Sequence, residues 1–153
     1  MFLVGRAAVR IACGLAVGAF LGGCGGTTDK ITLTSSPRLN TCEGGGDAHP
    51  VVVRIFYLKA RDRFERADFT ALWQDDVATL EGDRIKVEER TLNPKQQITV
   101  ALKRDEASKG AAAIGVVANF CKPGEGCWRR WVDIDDDSAE IRVHLDEGCL
   151  SID

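Results

Sequence analysis

Val51 to Leu58 is a run of eight residues in which both alternating faces are largely apolar. Val51, Val53, Ile55 and Tyr57 fall on one face, and Val52, Arg54, Phe56 and Leu58 on the other. A strand patterned this way must be covered on both sides, so it sits centrally in a sheet with layers above and below it. Around it lie shorter stretches with period-two alternation. Ile31 to Ser35 alternates apolar and hydroxyl residues. Arg84 to Leu92 and Gln97 to Leu102 flank the turn signal Asn93-Pro94-Lys95, and Ala112 to Phe120 and Cys127 to Ile134 form a second pair. Ile141 to Leu145 closes the series. Seven or so strands at spacings of about 10 residues predict an all-β, two-sheet β-sandwich. One short inserted helix is expected after Asp68, which can cap it, with Phe69, Leu72 and Trp73 forming an apolar stripe for core packing.

The N-terminus is of a different kind. Arg6 and Arg10 precede an apolar run, Ile11 to Leu21, that is too short to cross a bilayer, which takes about 20 residues. Leu21-Gly22-Gly23-Cys24 follows and reads as a bacterial lipoprotein signal, in which processing before Cys24 leaves its sulfur to carry a diacylglyceryl group and its amine to be acylated. The alternative is an ordinary secretory signal. Three units are therefore expected: a signal peptide over 1–23, a lipid anchor and tether over 24–30, and a sandwich domain over 31–153. Two or more acyl chains give a stable anchor, whereas one binds only reversibly.

Charge and cysteines fit that compartment. Two of the 20 basic residues belong to the leader, which leaves 18 against 23 acidic ones and a net charge of −5. An acidic domain argues against nucleic acid. With Cys13 in the leader and Cys24 taken by lipid, Cys42, Cys121, Cys127 and Cys149 remain where disulfides persist. Three connectivities are open. The Lys-Pro-Gly-Glu-Gly segment between Cys121 and Cys127 turns the chain and favours that pair, leaving Cys42 with Cys149. A four-thiolate zinc site is disfavoured because no C-x2-C spacing occurs.

No catalytic constellation assembles from the sequence, and no enzyme, cofactor or metal is expected. His49 precedes a proline in a loop and His144 falls on the outer face of the last predicted strand. Asp133, Asp135, Asp136 and Asp137 could offer oxygen ligands to calcium but lack the turn glycine and distal glutamate of a calcium loop, so a solvated turn is the better reading. In Trp128-Arg129-Arg130-Trp131, strand alternation puts one tryptophan toward the core and the other on the surface. Ser36 to Pro50 breaks all periodicity and includes Gly44-Gly45-Gly46-Asp47. Loops of that length in compact domains are commonly functional or disordered.

Leu39-Asn40, then Pro50-Val51-Val52-Val53-Arg54-Ile55-Phe56-Tyr57-Leu58-Lys59, then Phe64 and Ala67-Asp68-Phe69 with Leu72, resemble the type VI secretion system lipoprotein family, TssJ, also called VasD or SciN. Leu92-Asn93-Pro94, the strand ending at Phe120 and Trp128-Arg129 follow in the family's order. The resemblance implies a transthyretin-like sandwich anchored in the outer membrane and facing the periplasm. It would dock the periplasmic C-terminal domain of a TssM-like inner-membrane protein, in a complex with a TssL-like protein. Gly25 after the acylated cysteine fits outer-membrane delivery. The family's contact loop maps onto Pro37, Arg38, Leu39, Asn40, Thr41, Cys42, Glu43, Gly44, Gly45, Gly46 and Asp47. Cys42, the triple glycine and Tyr57, where the family usually has glutamine, are departures. A reading from another class is a periplasm-facing carrier lipoprotein that holds a small ligand or calcium.

Overall fold

The computed structural model describes residues 26–42 and 46–153. The expected signal peptide and Cys24 lie outside the described residues. Among the described residues, eight strands form two four-stranded sheets: β1 (Thr28–Ser35), β4 (Gln97–Lys103), β7 (Glu140–Leu145) and β8 (Leu150–Ile152) in the order β4-β1-β7-β8, and β2 (Val51–Leu58), β3 (Arg84–Leu92), β5 (Ala113–Ala118) and β6 (Arg129–Asp133) in the order β3-β2-β5-β6. This is the two-sheet sandwich expected. β2 is central, antiparallel to β3 and β5, and β1 lies between antiparallel β4 and parallel β7.

The two apolar faces of β2 bury in two different places. Val51, Val53, Ile55 and Tyr57 join Ile31, Leu33, Val116, Ile141 and Val143 between the sheets. Phe56 and Leu58 face outward and are covered by a helical layer with Phe64, Leu72 and Leu80. That layer is the β2–β3 connection. It contains three short helices rather than the one expected, α1 (Asp62–Arg66), α2 (Phe69–Gln74) and α3 (Asp76–Leu80), followed by a 3-10 turn over Glu81–Asp83.

The predicted helix is α2. Asp68 Oδ1 accepts from Ala71 N at 2.8 Å, and Leu72 is buried while Phe69 stacks on Trp73 with centroids 5.6 Å apart. Asp75 caps α3 in the same way, accepting from Ala78 N at 3.1 Å. Two caps seven residues apart divide the segment into single turns that packing must stabilise, since helices this short are marginal alone. Gly115 on β5 makes the packing possible, because a Cβ there would meet the Phe64 ring at 2.6 Å. Arg129 donates to the carbonyls of Phe64 and Ala67, and Arg54 donates to that of Trp73 at 2.7 Å, so sheet arginines satisfy the helix ends.

Three local expectations are corrected. The tether expected to run to Lys30 ends at Thr27, because β1 begins at Thr28 and Asp29 is fully buried. Both tryptophans are half-buried: Trp128 packs against the inter-sheet core as well as the helical layer, and Trp131, instead of lying on the surface, packs against that layer. Trp128 lies before β6, outside its alternation, and packs edge-on against Phe69 at 5.3 Å. β8 was not expected at all.

Candidate functional site: the disulfide-tied loops

The strand directions sort the connections into two ends. The β1–β2, β3–β4, β5–β6 and β7–β8 loops gather at one, and the chain entry, the helical β2–β3 connection, the β4–β5 loop and the β6–β7 turn at the other. The aperiodic segment singled out in the sequence is the β1–β2 loop of the first end. Its neighbours there are the β5–β6 loop, residues 119–128, and the β7–β8 loop, residues 146–149.

These three loops are cross-linked in series. Cys42 bonds Cys121 and Cys127 bonds Cys149, with Cα separations of 5.7 and 4.5 Å. The expected pairs, Cys121 with Cys127 and Cys42 with Cys149, are therefore corrected. The Lys122–Gly126 segment does not close a hairpin on itself. Gly124 N donates to Gly148 O at 2.8 Å and Leu150 N to Cys127 O at 2.8 Å, laying the β5–β6 loop along the β7–β8 loop. Contact is so close that a Cβ on Gly148 would meet Lys122 O at 2.2 Å. Cys127 is thereby presented to Cys149, and Cys121 is left facing the β1–β2 loop.

Within that loop, inward and outward residues divide cleanly. Leu39 is fully buried in the inter-sheet core. Asn40, 6% exposed and in the left-handed region at φ 51°, is the hub: its Nδ2 donates to Pro50 O at 2.9 Å and its Oδ1 accepts from Cys121 N at 2.8 Å. Asparagine tolerates this conformation better than most residues. Leu39 and Asn40, both predicted as contact residues, thus hold the loop and face away from solvent. Pro37, Arg38, Gly46 and Asp47 are exposed, and Thr41 and Cys42 are half-buried. Glu43, Gly44 and Gly45 lie outside the described residues.

The loops enclose an open cleft of about 520 Å³ lined by Arg38, Thr41, Cys42, Lys122, Pro123, Gly124, Asp146, Glu147, Gly148 and Cys149. Arg38 pairs with Glu147, and Ser36 Oγ donates to Asp146 Oδ1 at 2.5 Å. Charges of both signs share the rim around a small, rigid backbone floor. The contributions of Lys122, Asp146 and Glu147 were not foreseen, since nothing in their local sequence tells which loops share an end.

The opposite end holds a buried ionic cluster. Asp29 accepts from Arg104 Nε at 2.7 Å and Nη2 at 2.8 Å, from Tyr57 Oη at 2.5 Å and from Ala139 N at 2.8 Å. Burial opposes ionisation of Asp29, but the Arg104 guanidinium and these other donors outweigh it and hold the carboxyl below its ordinary range. Burial and then the Asp29 carboxylate push Tyr57 up. Arg104 also donates to the carbonyls of Asp135 and Asp137, so the acidic turn considered for calcium is folded around a guanidinium. Among the described residues, no group of three His, Cys, Asp or Glu is placed to hold a metal ion. His49 and His144 are both exposed, and His144 Nε2 lies 3.0 Å from Asp153 Oδ2.

The family model described as type VI secretion lipoprotein, VasD, EvfM, TssJ, VC_A0113 matches residues 27–148. The chain belongs to this type VI secretion lipoprotein family. Among solved structures it is similar to the type VI lipoprotein TssJ1 from Pseudomonas aeruginosa, with 27% identity and a TM-score of 0.75 over 84% of this chain and 95% of that one. It shares its fold with Lip from Serratia marcescens, a membrane-bound component of the type VI secretion system, with 18% identity and a TM-score of 0.73 over 84% and 96%. It is also similar to a chain of the structure described as the TssM C-terminal domain (869-1107) from EAEC, with 26% identity and a TM-score of 0.69 over 82% and 96%. A comparison with curated proteins finds no match.

Proposed function

We propose that this lipoprotein is anchored in the outer membrane through Cys24, faces the periplasm, and docks the periplasmic C-terminal domain of a TssM-like inner-membrane protein in a trans-envelope complex that also contains a TssL-like protein. It acts as a binding protein without catalysis. The observation that carries the reading is the end-on cluster of three loops joined by Cys42–Cys121 and Cys127–Cys149, at the place where family resemblance puts the contact loop. The likeness to a chain from the TssM C-terminal domain structure supports the choice of partner. A loop holding three glycines loses much entropy on binding unless it is already held, and the bond from Cys42 to the β5–β6 loop supplies that hold.

The test leaves Leu39, Asn40 and both disulfides intact, because they belong to the fold. Replacing Glu43–Asp47 by serines and Arg38, Lys122 and Glu147 by alanine should leave a cooperatively folding domain that no longer captures the purified TssM-like periplasmic domain. Tight capture by that folded variant would move the docking surface elsewhere, and failure of the intact protein to bind at all would refute the proposed partner.

A further inference from the structure

The chain enters the fold at the end opposite the disulfides, and it is held there almost at once. Thr27 O accepts from Arg104 N at 2.8 Å, and Thr27 Oγ1 donates to Asp136 O at 3.4 Å. One residue earlier, Gly26 lies so close to the Lys103 stem that a Cβ would meet Cε at 2.9 Å. Two residues later, the buried Asp29–Arg104 pair fixes the first turn of β1 against both flanking loops. The length of chain from Cys24 to Thr27 is three residue steps, which span about 10 Å when fully extended. The headgroup zone on one side of a bilayer takes up roughly 5–7 Å of that.

From this length and this clamp we propose that the β4–β5 loop (residues 104–112) and the β6–β7 turn (residues 134–139) form a membrane-facing surface that rests on the headgroups of the leaflet carrying the anchor. The proposal rests on the attachment of lipid at Cys24. Charge selects the kind of lipid. The exposed side chains here are Asp105, Glu106 and Asp135 to Asp137 against Lys103 and Lys109, while the Arg104 cation is consumed inside the fold. Two segments with that excess of carboxylates are repelled by anionic lipid and accept a zwitterionic surface whose outermost groups are ammonium, as phosphatidylethanolamine presents. The docking loops are then held one strand length, about 26 Å, above the headgroups.

The experiment uses the lipidated protein purified from membranes and placed in phosphatidylethanolamine-rich nanodiscs, with hydrogen exchange followed by mass spectrometry. The reference is the same lipidated protein carrying a spacer of about 12 Gly/Ser residues after Gly25, which adds a random-coil reach of roughly 20 Å. Peptides covering residues 104–112 and 134–139 should exchange about threefold or more slowly with the native tether than with the spacer, while peptides from the disulfide end stay unchanged. Equal exchange in the two proteins, or protection at the disulfide end, overturns the proposal. Equal protection in phosphatidylglycerol-rich discs overturns the assignment of lipid class. Intact mass separates the two readings: a chain without acyl groups removes the anchor and this surface together, whereas a lipidated chain with unprotected loops removes this surface alone.

Discussion

The two ends of the sandwich solve the same problem with different chemistry. Each must hold several loops that have little apolar surface of their own. The disulfide end uses two covalent bonds, a buried asparagine and close glycine contacts. The entry end uses one buried carboxylate that gathers a guanidinium, a phenol and a backbone amide from three other parts of the chain. A covalent link is indifferent to pH and salt but depends on the redox state. An ion pair has the opposite sensitivities, and a buried one is costly to leave half-made. The contrast predicts that reductant and acid unfasten opposite ends of one small domain.

The largest effect should come from removing Cys42–Cys121. Its 79-residue separation corresponds to about 4.5 kcal/mol on the chain-entropy model. Denaturant unfolding of the Cys42→Ser, Cys121→Ser double variant measures it, and an unchanged midpoint would show that Leu39, Asn40 and the loop's other contacts hold it without the bond.

Next comes Asp29→Asn, which leaves Arg104 buried without a counter-charge and should cost about 4 kcal/mol. It should also alter the acid limb. Because the folded carboxyl titrates below the ordinary 3.8, its stabilisation is complete above that value and is lost as pH falls through the lowered one. Stability curves of the native protein should therefore fall below about pH 4 more steeply than those of Asp29→Asn. Parallel curves would remove Asp29 as the acid-sensitive fastening.

Losing Cys127–Cys149 should cost less, about 3.4 kcal/mol for a separation of 22 residues. The backbone bonds from Gly124 to Gly148 and from Leu150 to Cys127 continue to hold those loops. Partner capture should then survive its loss better than the loss of Cys42–Cys121, and the reverse ranking in a binding assay would contradict the roles assigned here. The smallest change is Tyr57→Phe. It removes one hydrogen bond to a charged acceptor and should cost roughly 1.5–3 kcal/mol, toward the low end because Arg104 and Ala139 still serve Asp29. A loss as large as that of Asp29→Asn would place the phenol at the centre of the clamp.

What the sequence disclosed follows from how local the signal is. Val51–Leu58 could be placed because an unbroken apolar run admits few positions, and α2 because Asp68 marks its start. The β1–β2 loop stood out by its lack of period. Asp29 concealed the first turn of β1, since a buried carboxylate reads as tether unless its partner 75 residues away is known. β8 is three residues behind a glycine and a cysteine, too short to show alternation. The cysteine pairing was misread for a topological reason. It depends on which loops share an end of the sandwich, and that is set by strand order. Leu39 and Asn40 sit in an aperiodic segment yet point inward, a distinction that only the facing strands and Cys121 create.

β1 stands between β4 and β7, bonded along both edges, and its first residue is four positions from Cys24. On the proposed anchor and docking loops, the domain is fastened to a membrane at one end and to a partner at the other, and it is under tension whenever the two move apart. Here the pull runs along the axis of β1. Hydrogen bonds of the antiparallel β1–β4 ladder lie across that direction and those of the parallel β1–β7 ladder at a slant to it, so they are loaded together in shear instead of being opened one after another. The position of one strand within its sheet thus turns a small domain into a mechanical link that resists stretching most strongly along the line on which it would be stretched.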